Sequence, residues 1–362
     1  MRLIGTKYIA EGVILAKPIL NERGKILINS GVKIDNKMIK RLMELRISYL
    51  YIEDGRTNDI YPEPSISDDL KKEAMKTIET NFTEIKESVN KSKFIMMEKA
   101  TSTFKKLISN VLEELQGHRE LSSMMSDVFL YDDYIFSHSL NVTIYSLALG
   151  IELNLTANQL KILGLGAILH DVGKINIPLK ILLKPEKLTK QEFGIIKSHA
   201  ETGYKMLKDI PNMSLLVAHC AYQHHERING SGYPRGIKGE EIHLFGKIIA
   251  VADVFDAITS NRVYKRALLP HEALEILYGG IDSLYDAKIV EAFRKAIILY
   301  PNGLSVSLSN GEKGVICRQN NGLNERPVVR VLEKEDGTEI APYEIDLKES
   351  LSIVITECES II

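Results

Sequence analysis

The chain has 362 residues, enough for two or three domains with real cores. Hydrophobic residues make up 44% and charged residues 26%, the balance of an ordinary globular protein. A formal net charge of −2 gives no support for a nucleic-acid or membrane-surface partner. No uncharged apolar run approaches the roughly 18 residues that a membrane helix needs, and residues 1–12 lack the apolar core of a signal peptide. The three cysteines, Cys220, Cys317 and Cys358, are odd in number and lack CxxC spacing, so they read as reduced thiols. The expectation is a cytoplasmic protein that binds neither nucleic acid nor membrane.

In chain order, residues 1–60 read as a small α+β module. Val13 to Ile28 alternates apolar and polar around 21–24, the pattern of a hairpin. Asp35 is placed to cap a helix through Arg46, with Ile39, Leu42 and Met43 inward, and Tyr49 to Glu53 has strand composition. The Pro-rich stretch from Tyr61 starts a linker and helical connector over 61–117. Its portion from Asp68 to Gln116 is rich in Lys and Glu, the composition of a solvated connector or a dimerising helical pair. Residues 118–300 are helical by period. Thr156–Gln159 and Thr189–Glu192 are capping boxes, and Leu160, Leu163 and Ala167 form an apolar face that His170 extends. Ile249, Asp253 and Asp256 share a face of a further helix, where a carboxylate is costly unless paired or bound to a metal. Residues 301–362 turn to β character. Asn310-Gly311 and Asp336-Gly337 each separate two strand-like runs, which predicts hairpins. The fold class is mainly α: a helical bundle with a small N-terminal α+β module and a small C-terminal β module.

The chemistry concentrates in the bundle. Six of the nine histidines fall between His138 and His225, and five of them (His138, His170, His199, His224 and His225) accompany Asp171, Lys174 and Asp253. Each alone has a plain explanation as a core or surface residue. Together they are a mixed His and Asp ligand set beside a cation, which suits hydrolysis of a phosphate ester at two ions bridged by one carboxylate. Asp171 is the natural bridge, and Lys174, one turn past His170, faces the same cavity. The set lacks Cys, so iron or manganese fits better than a structural zinc.

Three segments, LHDVGKINIP (169–178), HHERINGSGYPRGIKGEEI (224–242) and AVADVFDAITSNRVYKR (250–266), together with His138, resemble the HD-GYP family of the HD phosphohydrolase superfamily. The resemblance runs from about Tyr131 to Pro301. It implies an HD-type helical bundle and a metal-dependent phosphodiesterase that opens cyclic di-GMP to pGpG or GMP by attack of a hydroxide shared between two divalent ions. It implies that His138, His170, Asp171 and Asp253 hold one ion and Asp171, His199, His224 and His225 the other. Lys174 would meet the scissile phosphate, Arg262 and Lys265 the substrate phosphates, and Tyr233 the substrate or the pocket wall. The loop at Gly232-Tyr233-Pro234 would dock a protein partner, and a homodimer is expected. Some relatives hold a third ion through a carboxylate four residues before the first His. Here that place is Tyr134, with Asp132 and Asp133 out of phase, so two ions are expected. Asn229, Asn261, Ala200, Leu179 and Glu186 depart from the family pattern without removing a ligand. The rival readings are another cyclic dinucleotide, such as cyclic GMP-AMP, as substrate, and a non-catalytic cyclic di-GMP receptor.

Overall fold

The computed structural model describes all residues except 21–25, 46, 48, 62–64, 89–90, 117–133, 183, 185, 261–267, 321 and 359–362. In the N-terminal module, β1 (Arg2–Gly5) pairs antiparallel with β4 (Tyr49–Ile52), and β2 (Ile19–Leu20) pairs with β3 (Ile26–Ile28). The second pair is the expected hairpin, although its turn lies outside the described residues. Between them runs α1 (Asn36–Glu44), started by Asp35, whose carboxylate accepts from the Met38 amide at 2.7 Å. Leu42 is buried and Ile39 packs beside it, but Met43 is 50% exposed. That corrects the expectation: one residue past Leu42 the helix has turned about 100°, off the inward stripe.

Two long helices follow, α2 (Asp68–Glu87) and α3 (Lys91–Gln116). They are not a solvated connector. Leu70, Ala74, Ile78, Phe82 and Ile85 of α2 and Phe104, Ile108, Val111 and Leu115 of α3 are buried in the main core, whereas Lys72, Glu73, Lys76, Lys86, Lys105 and Lys106 are exposed. The Phe82 and Phe104 rings meet edge to face at 6.0 Å. A spacing of three and four is the stripe by which a helix of high charge still buries one side.

The same core takes in α4 (Tyr134–Glu152), α5 (Ala157–Leu169), α7 (Lys190–Leu207), α8 (Leu215–Gln223), α9 (Leu244–Thr259), α10 (Pro270–Gly279) and α11 (Ala287–Ala296), and the short α6 (Leu179–Leu182) lies against α7. Both predicted capping boxes form, at Thr156–Gln159 and Thr189–Glu192. The α4 helix lies against α5 and α9, and α8 lies against α5, α7 and α9. The C-terminal segment is a five-stranded antiparallel sheet of β5 (Ser305–Leu308), β6 (Lys313–Arg318), β7 (Val328–Glu333), β8 (Glu339–Asp346) and β9 (Ile355–Cys358), ordered β8-β7-β6-β5-β9. Both predicted hairpin turns are present, with Gly311 at φ +83° and Gly337 at φ +79°. The architecture is thus mainly α with small modules at each end, as the sequence reads. Among the described residues no helix is long and apolar enough to cross a membrane.

Candidate metal centre

Five elements aim side chains at one point. The α4 helix contributes His138. His170 ends α5, and Asp171 starts the 3-10 turn at Val172–Asn176. The α7 helix gives His199, the C-terminal end of α8 gives His224 and His225, and α9 gives Asp253. Six of these seven are buried almost completely, and His225 is partly exposed at the rim. The turn after Asp171 approaches α7 so closely because residue 173 is glycine. A β-carbon there would lie 2.0 Å from the His199 carbonyl oxygen.

Asp171 is the centre of the cluster. Its Oδ2 faces His138 Nε2 at 3.5 Å, His170 Nε2 at 3.4 Å and Lys174 Nζ at 2.5 Å. Its Oδ1 faces His199 Nε2 at 3.2 Å and His224 Nε2 at 3.7 Å. Asp253 spans both halves, with Oδ1 3.2 Å from His138 Nε2 and Oδ2 3.7 Å from His225 Nδ1. Two groups with ligand spacing result, His138/His170/Asp171 and Asp171/His199/His224/His225, and Asp171 belongs to both.

The tautomers follow from the other ring nitrogens. A backbone carbonyl only accepts. His170 Nδ1 meets the Ala167 carbonyl at 2.6 Å, His199 Nδ1 the Ile196 carbonyl at 2.6 Å and His224 Nδ1 the Cys220 carbonyl at 3.1 Å. Each Nδ1 therefore carries the hydrogen, and each Nε2 turns a lone pair inward. Burial lowers the pKa of His199 to about 3 and pushes those of His224 and His225 down as well, which keeps these rings neutral. Burial pushes the Asp171 carboxyl up, but Lys174, His170 and His138 outweigh it and hold the group well below the usual carboxylate range. The interior is thus a ring of acceptors facing acceptors: His199 Nε2 and His224 Nε2 are 3.3 Å apart, and among the described residues His170 Nε2 and Asp171 Oδ1 have no hydrogen-bond partner. Buried lone pairs in mutual contact are costly unless a cation lies between them. Neutral imidazole with carboxylate is the donor set of a divalent transition metal, so the residues fit such ions.

Two residues matter here beyond the ligands and substrate contacts expected from the sequence. Asp256, also buried, receives His138 Nδ1 on Oδ2 at 2.7 Å, and Asn141 Nδ2 and the Ser260 hydroxyl on Oδ1 at 2.8 and 3.0 Å. Its place on the Asp253 face was legible, but its partner 118 residues away was not. Glu226, buried behind the His pair, accepts from the Arg235 amide at 2.8 Å and pins the following loop. That loop folds back over the rim. The Tyr233 amide donates to the His225 carbonyl at 3.1 Å, and the Tyr233 ring lies 4.6 Å from the His225 ring, 31° from parallel. A β-carbon at Gly232 would come within 2.5 Å of the His225 carbonyl oxygen, so the loop closes only with glycine there. Burial and then Asp253 and Asp171 push the Tyr233 hydroxyl up, so it stays a neutral phenol. Arg262 and Lys265, read as substrate cations, lie outside the described residues, as do Asp132, Asp133 and the Tyr134 side chain.

An HD domain family model matches residues 102–289, and a model described as a KOW domain associated with HD domain matches 305–361. A cyclic di-GMP phosphodiesterase of Pseudomonas aeruginosa is 40% identical over 227 residues, covering 62% of this chain and 55% of its own. The cyclic di-GMP phosphodiesterase response regulator RpfG of Xanthomonas campestris pv. campestris is 40% identical over 197 residues, covering 54% of this chain and 52% of its own. The chain thus spans about half the length of the curated relatives it matches. A solved HDG"Y"P protein from Bdellovibrio bacteriovorus covers 80% of this chain and 97% of its own at 17% identity, with a TM-score of 0.47. Because the HD domain match takes in more than half of its length, the chain belongs to the HD domain family, and its motifs resemble those of the HD-GYP branch.

Proposed function

We propose that this protein is a metal-dependent phosphodiesterase that opens cyclic di-GMP to pGpG and/or GMP. The observation that carries the reading is the buried ring of inward lone pairs around Asp171, with an ammonium group against it. The two relatives named as cyclic di-GMP phosphodiesterases supply the substrate class.

In this reading His138, His170, Asp171 and Asp253 hold one divalent ion and Asp171, His199, His224 and His225 the other, the ions being iron or manganese. Ions held there supply Lewis acidity to a phosphoryl oxygen and acidify water. The side chains of the protein do the rest. Lys174 spends one N–H on Asp171 and keeps two for the scissile phosphate, where charge builds in the transition state. Asp256 holds His138 with its Nε2 lone pair inward. Tyr233 shields the rim and offers a neutral O–H, and Arg262 and Lys265 grip the substrate phosphates. Two ions rather than three follow from Tyr134, a poor ligand in the place where a third ion needs a carboxylate.

The catalytic unit runs over 118–300, with the 61–117 helices packed on it and modules at 1–60 and 301–362. The protein works in the cytoplasm as a homodimer, and the loop at 232–234 is its docking point for a protein partner. The test is incubation of protein purified without oxygen with cyclic di-GMP and ferrous or manganous ion, with products separated by chromatography. Two ions per chain and appearance of pGpG are expected. A protein that carries its ions and leaves the nucleotide intact is not this enzyme. Parallel incubation with cyclic GMP-AMP ranks the two substrates.

A further inference from the structure

Lys197 stands on α7 two residues before His199, half-buried at the rim of the centre. Its Nζ is 5.1 Å from the centroid of the Tyr233 ring and 4.8 Å from that of Phe193. The two rings meet edge to face at 6.5 Å, and Phe193 is 45% exposed. Tyr233 in turn lies over His225, so a single ring separates this ammonium from the metal ligands. Among the described residues Lys197 forms no ion pair or hydrogen bond, whereas Lys174 is engaged with Asp171. Among the described residues its contacts are ring faces, which attract the cation without neutralising it.

The geometry points to Lys197, with Phe193 and Tyr233 beside it, as a second anion subsite that takes the phosphate not being cleaved and seats a nucleobase against the exposed Phe193 face. The inference rests on the phosphodiesterase reading, because a cyclic dinucleotide carries two phosphates and only one can lie against Asp171 and Lys174. The other lies away from Asp171, and besides Arg262 and Lys265 the rim at α7 offers an ammonium with no carboxylate partner among the described residues, next to an open aromatic surface. Aromatic faces accept a purine by stacking, and an unpaired ammonium takes phosphate as a point charge.

The test compares Lys197→Gln, Lys197→Arg and Phe193→Ala with the parent on two substrates: cyclic di-GMP, and bis(p-nitrophenyl) phosphate, a diester with a single phosphate. Binding of a phosphorothioate analogue of cyclic di-GMP, followed by calorimetry, is read alongside turnover. Lys197→Gln should raise KM for cyclic di-GMP about tenfold, with kcat changed by less than about twofold. It should weaken the analogue to the same degree and make its affinity less sensitive to salt. Lys197→Arg should restore affinity, and Phe193→Ala should weaken the analogue as well. All three should cleave the single-phosphate diester like the parent. A Lys197→Gln protein with unchanged KM and analogue affinity overturns the subsite while leaving the phosphodiesterase reading intact. Equal loss on both substrates assigns Lys197 to holding the fold and also overturns it. A parent protein that neither binds nor cleaves cyclic di-GMP overturns the reading itself, and the subsite with it.

Discussion

At Gly173 the turn carrying Asp171 comes so near α7 that a β-carbon would meet the His199 carbonyl oxygen at 2.0 Å and the Gly203 amide at 2.8 Å. Both obstacles are backbone, which cannot swing aside as a side chain could. Gly173→Ala should therefore push the turn off α7, separate Asp171 from His199 and cost about 1–3 kcal/mol or more of stability. Thermal denaturation and metal content measured together check this, and a variant that keeps both would show that the contact is not limiting. Asp256 acts on the opposite side of the centre. Three of the ligand imidazoles are oriented by carbonyls of their own helix, three or four residues back, but His138 depends on a carboxylate from α9. Asp256→Asn removes that charge at nearly constant shape, so metal affinity should fall about 10–100-fold with the fold retained. Titration of metal-free protein with manganous ion, alongside circular dichroism, reads both quantities. Asp171→Asn is more severe, because one carboxylate serves both ligand groups. It should lower turnover by about a thousandfold or more, and full activity at unchanged metal content would end the shared-ligand scheme.

The elements that position these residues are anchored by local chemistry, and that is the part most legible in the sequence. The start of α7 is an example. Thr189 caps the Glu192 amide, and the Glu192 carboxylate returns to the Thr189 amide at 2.8 Å while Lys184 grips both of its oxygens at 2.8 Å. The Lys184 ammonium, and then the Thr189 amide, hold the Glu192 pKa at about 2 against an ordinary 4.5. A depressed carboxyl contributes stability that is complete above its ordinary pKa and is lost as pH falls through the folded value. Glu192→Gln should therefore melt below the parent at neutral pH, and the gap should narrow as pH drops from about 4.5 toward about 2. A gap that stays constant down to the lowest pH of cooperative melting would mean that the carboxylate charge is not what anchors this helix. The capping box could be read because its partners are three residues apart, and the hairpin glycines because a tight hairpin loop places one residue at positive φ. Met43 was misplaced by a single residue of helical phase. The α2 and α3 helices were misread because their Lys and Glu dominate the composition, and only the stripe through Ala74, Ile78, Phe82 and Ile85 reveals that one side is covered. The ligand histidines were legible as motifs, whereas the pairing of Asp256 with His138 and the rings around Lys197 depend on long-range contacts that no local pattern encodes.

On the scale of the whole molecule, the two modules that the sequence places at opposite ends share one core. Leu3, Tyr49 and Tyr51 from the N-terminal strands pack with Leu304, Val306, Ile316, Val329 and Val331 of the C-terminal sheet and with Leu269, the residue before α10. The Leu3 amide donates to the Gly303 carbonyl at 2.7 Å, and Leu3 forms a parallel bridge with Leu304. Arg330 on β7 clasps the same junction from outside. It forks onto both oxygens of Asp59 at 2.6 and 2.7 Å, reaches Glu344 at 3.0 Å and donates to the Arg56 carbonyl at 3.2 Å. Asp59 is mostly exposed, so solvent screens the pair and the apolar contacts carry most of the attachment. Two changes should therefore differ in kind. Arg330→Met removes only the clasp, and should speed hydrogen exchange at 56–60 while leaving thermal stability within a few degrees of the parent. Deleting residues 305–362 strips the cover from Leu3, Tyr49 and Tyr51, so exchange should rise across β1 and β4 as well. Among the described residues the main helical core includes none beyond Tyr300, which packs against both cores, so α4, α5, α8 and α9 should keep their protection. Loss of protection across all of these helices in the deletion would show that the terminal platform is a folding requirement of the bundle. Preserved protection at β1 and β4 would show that the N-terminal module stands without the sheet.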